Sequence, residues 1–315
     1  MSNKTVADLI GRSNRLGSNP AYTNYAGGNT SAKGEGIDPA TGQPVKLVWV
    51  KGSGGDLGTL REDGLAVLQL ERVRSLKKIY PGVAREDEMA AAFDFCLHGK
   101  GGAAPSIDTA MHALVEVEHV DHLHPDSGIA IATSKNGKAL TKRIYGDRVL
   151  WVDWRRPGFQ LGLEIARLQA ENPKAIGCIL GGHGITAWGK TSKESEANSE
   201  EIIRVAESYI AREGTERPFG EKIAKFQPLQ PAARRARAAE IGAFIRGLAS
   251  TDKPQVGHFN DSDSVLEFMG SSKLKKLGAL GTSCPDHFLR TKVKPMILDL
   301  PGDADLDLVK ARLTV

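Results

Sequence analysis

At 315 residues the chain has room for one large α/β domain, or for one domain and an extension. With 40% hydrophobic and 25% charged residues it is no disordered polyelectrolyte, and no apolar run reaches the roughly 18 residues of a membrane span. A net charge of +4 is too mild to predict a nucleic-acid partner, and it suits a small anionic substrate.

Val6, Leu9 and Ile10 predict a short amphipathic first helix. Tyr25 to Gly36, rich in glycine, asparagine and hydroxyl side chains, reads as a loop. Leu47 to Val50 reads as a strand leading into Lys51-Gly52-Ser53-Gly54-Gly55-Asp56. Leu65, Leu68, Val73, Leu76 and Ile79 mark a second helix, stopped by Pro81-Gly82. Glu86 to Leu97 predicts a third, ended by Gly99. Pro105-Ser106-Ile107-Asp108 opens a short helix carrying Met111, His112 and Val115. Strands are expected at His119–His124 and Val149–Asp153, and the apolar run Ile176 to Leu180 reads as a buried strand. Helices are expected at Gln160–Glu171 and Ser192–Arg212. This interleaving predicts a layered α/β domain. After Gly214 the composition shifts, and a boundary is placed near residue 220. It separates a domain of residues 1–220 from a C-terminal extension, 221–315, with a basic helix at Ala232–Leu248 that carries Arg234, Arg235 and Arg237.

The chemistry concentrates in His119-Val120-Asp121-His122-Leu123-His124. Side chains alternate along a strand, so His122 and His124 share a face with Cα atoms roughly 6.5–7 Å apart, a span that two imidazoles close around one ion. His119 falls on the opposite face and reads as structural. His183, in Gly181-Gly182-His183-Gly184, follows the Ile176–Leu180 strand and supplies a third imidazole. Three protein ligands leave a coordination position open for substrate. Asp108 and Ser106 have two readings each: ordinary residues of a helix start, or an acid/base group and a phosphate contact. His112 shares the Asp108 face at i+4 and either orients that carboxylate or packs. Gly27-Gly28-Asn29-Thr30-Ser31-Ala32-Lys33 and Gly52-Ser53-Gly54-Gly55 are either turns or phosphate cradles. Neither fits a dinucleotide or Walker loop. Cys284-Pro285-Asp286-His287 has no second ligand pair and reads as structural. Cys96, Cys178 and Cys284 form no disulfide framework, and Met1 to Thr5 opens no signal-peptide core, so a cytoplasmic location is expected.

Taken in order, Gly-Gly-Asn-Thr-Ser, Lys-Gly-Ser-Gly, Pro-Ser-Ile-Asp, His-Leu-His-Pro and Gly-Gly-His-Gly resemble the class II, metal-dependent aldolase and adducin family over about residues 20–215. Gly281 to Lys292 adds a likeness to the aldolase half of bifunctional rhamnulose-1-phosphate aldolase/alcohol dehydrogenases. The resemblance implies a three-layer α/β/α fold around a largely antiparallel sheet, assembled as a homotetramer. It implies that His122, His124 and His183 bind zinc, with another divalent metal as the alternative. It further implies that Asn29, Ser53, Gly54 and Ser106 hold a sugar phosphate and that Asp108 moves the proton. Many family members have glutamate where Asp108 stands, and Ile107 replaces a phosphate-binding serine. No counterpart is found for the tyrosine that protonates the aldehyde oxygen. The implied activity, within rhamnose metabolism, is cleavage of a ketose 1-phosphate, L-rhamnulose 1-phosphate first. The rivals are a pentulose-phosphate epimerase, a decarboxylase, or a non-catalytic adducin-like module. A separate or missing dehydrogenase half is the implied partner.

Overall fold

Leu47 and Trp49 point to one side of their strand and Val48 and Val50 to the other, and all four are buried. A strand that is apolar on both sides has to lie between two covering layers. The computed structural model, which describes residues 2–23, 27–99, 102–286, 293–301 and 304–314, shows those layers.

Seven strands form one sheet: β1 (Asn29–Ile37), β2 (Pro44–Lys51), β3 (Leu65–Gln69), β4 (His119–Leu123), β5 (Val149–Val152), β6 (Gly177–Leu180) and β7 (Gly184–Gly189). Their spatial order is β3-β2-β1-β4-β7-β6-β5. Only the β5–β6 pair is parallel. The helices of this part are α1 (Ser2–Gly17), α2 (Leu70–Ser75), α3 (Glu88–Ala92), α4 (Thr109–Leu114), α5 (Asp126–Ala132), α6 (Gly137–Tyr145), α7 (Phe159–Glu171) and α8 (Ser192–Glu213).

One sheet face buries Val48, Val50, Ala66 and Leu68 against Val73 of α2, Ala110 and Ala113 of α4, and Phe159 of α7. The same face continues through Val120, Cys178, Leu180 and Trp188 against Met111 and Ile165. The opposite face buries Ala32, Leu47, Trp49 and Leu65 beneath Val6 and Leu9 of α1. It continues with Leu123, Ile179, Ile185 and Ala187 beneath Ile131 of α5 and Ile202, Ile203 and Ala206 of α8. The three-layer α/β/α fold with a largely antiparallel sheet is therefore the fold this chain forms.

Several elements differ from the sequence expectation. Residues 29–37 form a strand rather than a loop, because β2 and β4 pair with both of its edges and supply the order that its glycines do not. Tyr25, the expected loop start, lies outside the described residues. Leu65 and Leu68 belong to β3 rather than to a helix, and α2 begins only at Leu70. Leu65 faces α1 and Leu68 faces α2, so a strand covered on both sides imitates the three-residue spacing of a helix. The expected helix Glu86–Leu97 breaks into α3 and a 3₁₀ turn, Phe93–Cys96. α5, α6 and β7 were not expected.

The chain divides into two compact units, residues 1–213 with 283–286, and residues 214–282 with 287–315. The second unit contains α9 (Pro231–Ala249), α10 (Asp263–Met269), α11 (Leu274–Leu280) and a last helix, Leu306–Leu313. Within it Arg234 pairs with Asp261 at 3.0 Å and Arg237 donates to the Ala304 carbonyl. Among the described residues, no helix is long and apolar enough to cross a membrane.

Candidate metal centre

β4 sits in the middle of the sheet and pairs His122 with Asn29 of β1 on one side and with Thr186 of β7 on the other. Directly paired residues share a face. Asn29, His122 and Thr186 therefore point together, toward the α4 layer. The chain passes close to β4 just before β1. A Cβ on Gly28, whose φ is +66°, would lie 2.6 Å from the His122 carbonyl oxygen, so only glycine fits there. Leu180 and Gly184 pair across the β6–β7 hairpin, and His183 is carried in the turn between them. Gly182 in that turn has a φ of +64°, and its amide donates to the Ala132 carbonyl at 2.9 Å.

These elements bring three buried imidazoles together. His122 Nε2 lies 3.0 Å from His124 Nε2 and 3.1 Å from His183 Nε2. Protons cannot fill both gaps. His122 Nδ1 faces the Ile185 carbonyl oxygen at 2.9 Å and must donate to it. His124 Nδ1 lies 2.5 Å from Asp286 Oδ2 and donates there. In neutral rings both Nε2 atoms are then bare lone pairs facing each other. Burial, then the charge of a protonated His124, pushes His122 down to about 4. Burial also holds His183 well below the ordinary histidine range, with His122 and His124 adding to the effect. Neutral rings with converging lone pairs are the donor set of a divalent d-block cation. For zinc–nitrogen bonds near 2.05 Å the tetrahedral edge is about 3.3 Å, close to the observed spacing. The three histidines thus fit a metal ion.

Asp108, Asn29 and Ser106 form a second buried group beside the first. The Asn29 amide donates to Asp108 Oδ2 at 3.0 Å and to Ser106 Oγ at 3.1 Å. With both amide protons engaged, Asn29 Oδ1 is the acceptor for His112 Nε2 at 2.6 Å. His112, which burial keeps well below its ordinary pKa, is neutral, so its Nδ1 accepts from the Ser31 hydroxyl at 2.8 Å. The network therefore assigns every proton from Ser31 to Asp108. His112 orients the carboxylate, though through Asn29 rather than directly. Asp108 makes no side-chain cap on α4, and its other oxygen, Oδ1, is buried without a hydrogen-bond partner among the described residues. A buried carboxylate oxygen with no partner is costly unless a ligand meets it. Asp108 is close enough to His122 to favour the charged form of that ring.

Ser53 and Gly54 lie on an exposed loop after β2. The Ser53 amide donates to the Ala104 carbonyl at 3.0 Å, which carries this loop alongside the segment leading to Ser106. Lys33 does not join them. Four strand residues beyond Asn29, about 13 Å away, it donates to the Val117 carbonyl at 2.6 Å, and burial, then the charge of Arg74, pulls it down to about 7. His119 points away from His122 and accepts from Arg12 at 3.0 Å. Asp286 is the residue sequence reasoning missed, since Cys-Pro-Asp-His read as structural. His287 lies outside the described residues.

The sequence model of the family described as Class II Aldolase and Adducin N-terminal domain matches residues 8–210, and that of Aldolase class II, second domain, matches residues 236–315. A protein of Bacillus subtilis (strain 168) called an uncharacterized oxidoreductase, YuxG, is 38% identical over 314 residues. That alignment covers 98% of this chain and 45% of the relative, so the chain spans about half of that protein's length. Among solved structures, the N-terminal class II aldolase domain of a conserved protein from Thermoplasma acidophilum is 27% identical, with a TM-score of 0.59 over 64% of this chain and 92% of that one. A sugar-phosphate aldolase from Thermotoga maritima shares the fold at 14% identity and a TM-score of 0.50, over 68% of this chain and 98% of that one.

Proposed function

Because the chain belongs to the class II aldolase and adducin family, we propose that it is a zinc-dependent aldolase cleaving a ketose 1-phosphate, with L-rhamnulose 1-phosphate as the first candidate. The products are then dihydroxyacetone phosphate and lactaldehyde. The observation that carries this reading is the pairing of three metal-competent imidazoles with a buried carboxylate that has one oxygen held and the other without a partner among the described residues.

His122, His124 and His183 hold the cation. When bound, it supplies Lewis acidity to the oxygens next to the breaking carbon–carbon bond. Asp108 moves the proton at the dihydroxyacetone phosphate carbon through Oδ1, while Asn29 fixes Oδ2. Aspartate is shorter than the glutamate of many relatives, and the clamp from Asn29 and Ser106 sets where its reach ends. Ser106 donates to Asp108 only at 3.4 Å, so its hydroxyl turns to the substrate phosphate at little cost. Ser53 and Gly54 offer backbone and hydroxyl donors from the neighbouring loop. Asn29 contributes by exchanging one of its two amide bonds. Ile107, 39% exposed, adds no polar anchor.

A cytoplasmic homotetramer is part of the same proposal, as is a dehydrogenase partner. The oxidoreductase name and the greater length of the Bacillus relative support the partner. The test is cleavage of L-rhamnulose 1-phosphate by the purified chain, reading dihydroxyacetone phosphate after chelation and again after zinc is restored. Product that vanishes with chelation and returns with zinc supports the reading. Product that ignores chelation overturns the metal mechanism. No product from zinc-loaded protein overturns the substrate and turns the search to epimerase and decarboxylase substrates. No product and no bound metal favours a non-catalytic module.

A further inference from the structure

Each of the three imidazoles stands differently at its far nitrogen. His122 Nδ1 donates to a backbone carbonyl on the neighbouring strand. His183 Nδ1 is buried with no hydrogen-bond partner among the described residues. His124 Nδ1 alone meets a charged group, Asp286 Oδ2 at 2.5 Å. That carboxylate comes from 162 residues further along the chain and is itself buried. The Cys284 thiol stands 3.9 Å from the same oxygen and adds a weak donor.

We propose that Asp286 is a positioning residue of the metal centre. It holds His124 in the tautomer that presents Nε2 to the cation, and so makes metal affinity depend on the docking of residues 283–286. A carboxylate accepting from a ligand imidazole fixes the ring's rotation and tautomer and raises the basicity of the coordinating nitrogen. His124 needs this more than His122 does. It lies one residue past the end of β4, outside the ladder that orients His122. The role goes beyond the three ligands and rests on the metal reading of that cluster.

The experiment is zinc affinity of the full chain by competition with a chromophoric chelator, for the native protein, Asp286→Asn and Asp286→Ala. The unfolding midpoint of each metal-free protein serves as the control. The expected order is native tightest, Asp286→Asn intermediate because its amide oxygen still accepts, and Asp286→Ala weakest by about 10–100-fold. Metal-free midpoints stay close together. In the zinc-loaded native protein, long-range ¹⁵N–¹H spectra place the His124 proton on Nδ1, and Asp286→Ala broadens or shifts that signal. Native affinity in both variants overturns the proposal and leaves the metal reading standing. A native chain that binds no zinc overturns the metal reading, and the role of Asp286 with it.

Discussion

β4 separates two buried polar clusters on its two faces, and they differ in one respect. On the α1/α8 side, Asp121 accepts from Arg12 at 2.9 Å, from Ser195 at 2.7 Å and from Ser199 at 3.2 Å. Arg12 also donates to His119, Ser192 and the Ser31 carbonyl. Both charges are fully buried, and both of the carboxylate's oxygens have partners. On the α4 side, one residue along, His122, His124 and His183 turn their Nε2 atoms toward one another, and Asp108 Oδ1 and His183 Nδ1 have no partner among the described residues. The first cluster is complete with protein atoms alone and ties α1, β4 and α8 together. The second is left incomplete by the described residues, and its converging imidazoles suit a bound cation. Burial and polarity are common to both; satisfaction tells architecture from site.

The contrast is broken most directly by exchanging what the two clusters lose. His183→Ala is expected to take cleavage to background and remove bound metal in the same step, while the metal-free unfolding midpoint changes little. Activity and metal content measured on one preparation check this, and full zinc with full rate in that variant would remove His183 from the ligand set. Asp121→Ala does the reverse. It strands the buried Arg12 guanidinium and should cost about 3–5 kcal/mol in denaturant unfolding, with metal per folded molecule unchanged. Asp108→Asn sharpens the division within the site itself, because metal stays and the rate falls by about 10²–10⁴-fold. His112→Ala, which frees Asn29 to swing, should lower the rate by about 10–100-fold through misplacement of Asp108, again with metal retained.

The smallest effect is acid sensitivity on the structural side. Burial, then the charges of Arg12 and Lys33, holds His119 down at about 4. Its unfolded pKa is near 6.5. Between those values the unfolded chain binds more protons than the folded one, so stability falls as pH drops from about 6.5 to about 4. The loss from this group is about 1 kcal/mol after allowing for its partial exposure. It is checked by urea unfolding of native protein and His119→Gln across that range, where the variant's curve should be flatter.

The clustering of the three histidines was legible because strand alternation is a local rule. His122 and His124 share a face wherever β4 goes, and the glycines around His183 announce a tight turn. A layered α/β domain followed from the interleaved apolar runs, while the three layers and the largely antiparallel sheet followed from the family resemblance. β1 was not legible, since Asn29-Thr30-Ser31-Ala32-Lys33-Gly34 has the composition of a loop and is ordered only by its two neighbours. β3 was misread because both of its faces are covered, which erases alternation. Asp286 was hidden for a different reason: its contact with His124 closes a loop of 162 residues, and nothing in Cys-Pro-Asp-His states what lies opposite. The role of Asn29 was half visible. Its place in Gly-Gly-Asn-Thr-Ser marked it as a site residue, while its hold on Asp108 needed the β1–β4 register that pairs it with His122.

X-ray absorption at the zinc edge of the zinc-loaded chain measures directly whether His122, His124 and His183 surround one divalent ion through their Nε2 atoms. The expected result is one zinc per chain with three imidazole nitrogens at about 2.0–2.1 Å and oxygen completing the shell. A sulfur neighbour at about 2.3 Å, which would bring in Cys284, or fewer than three imidazoles would contradict it.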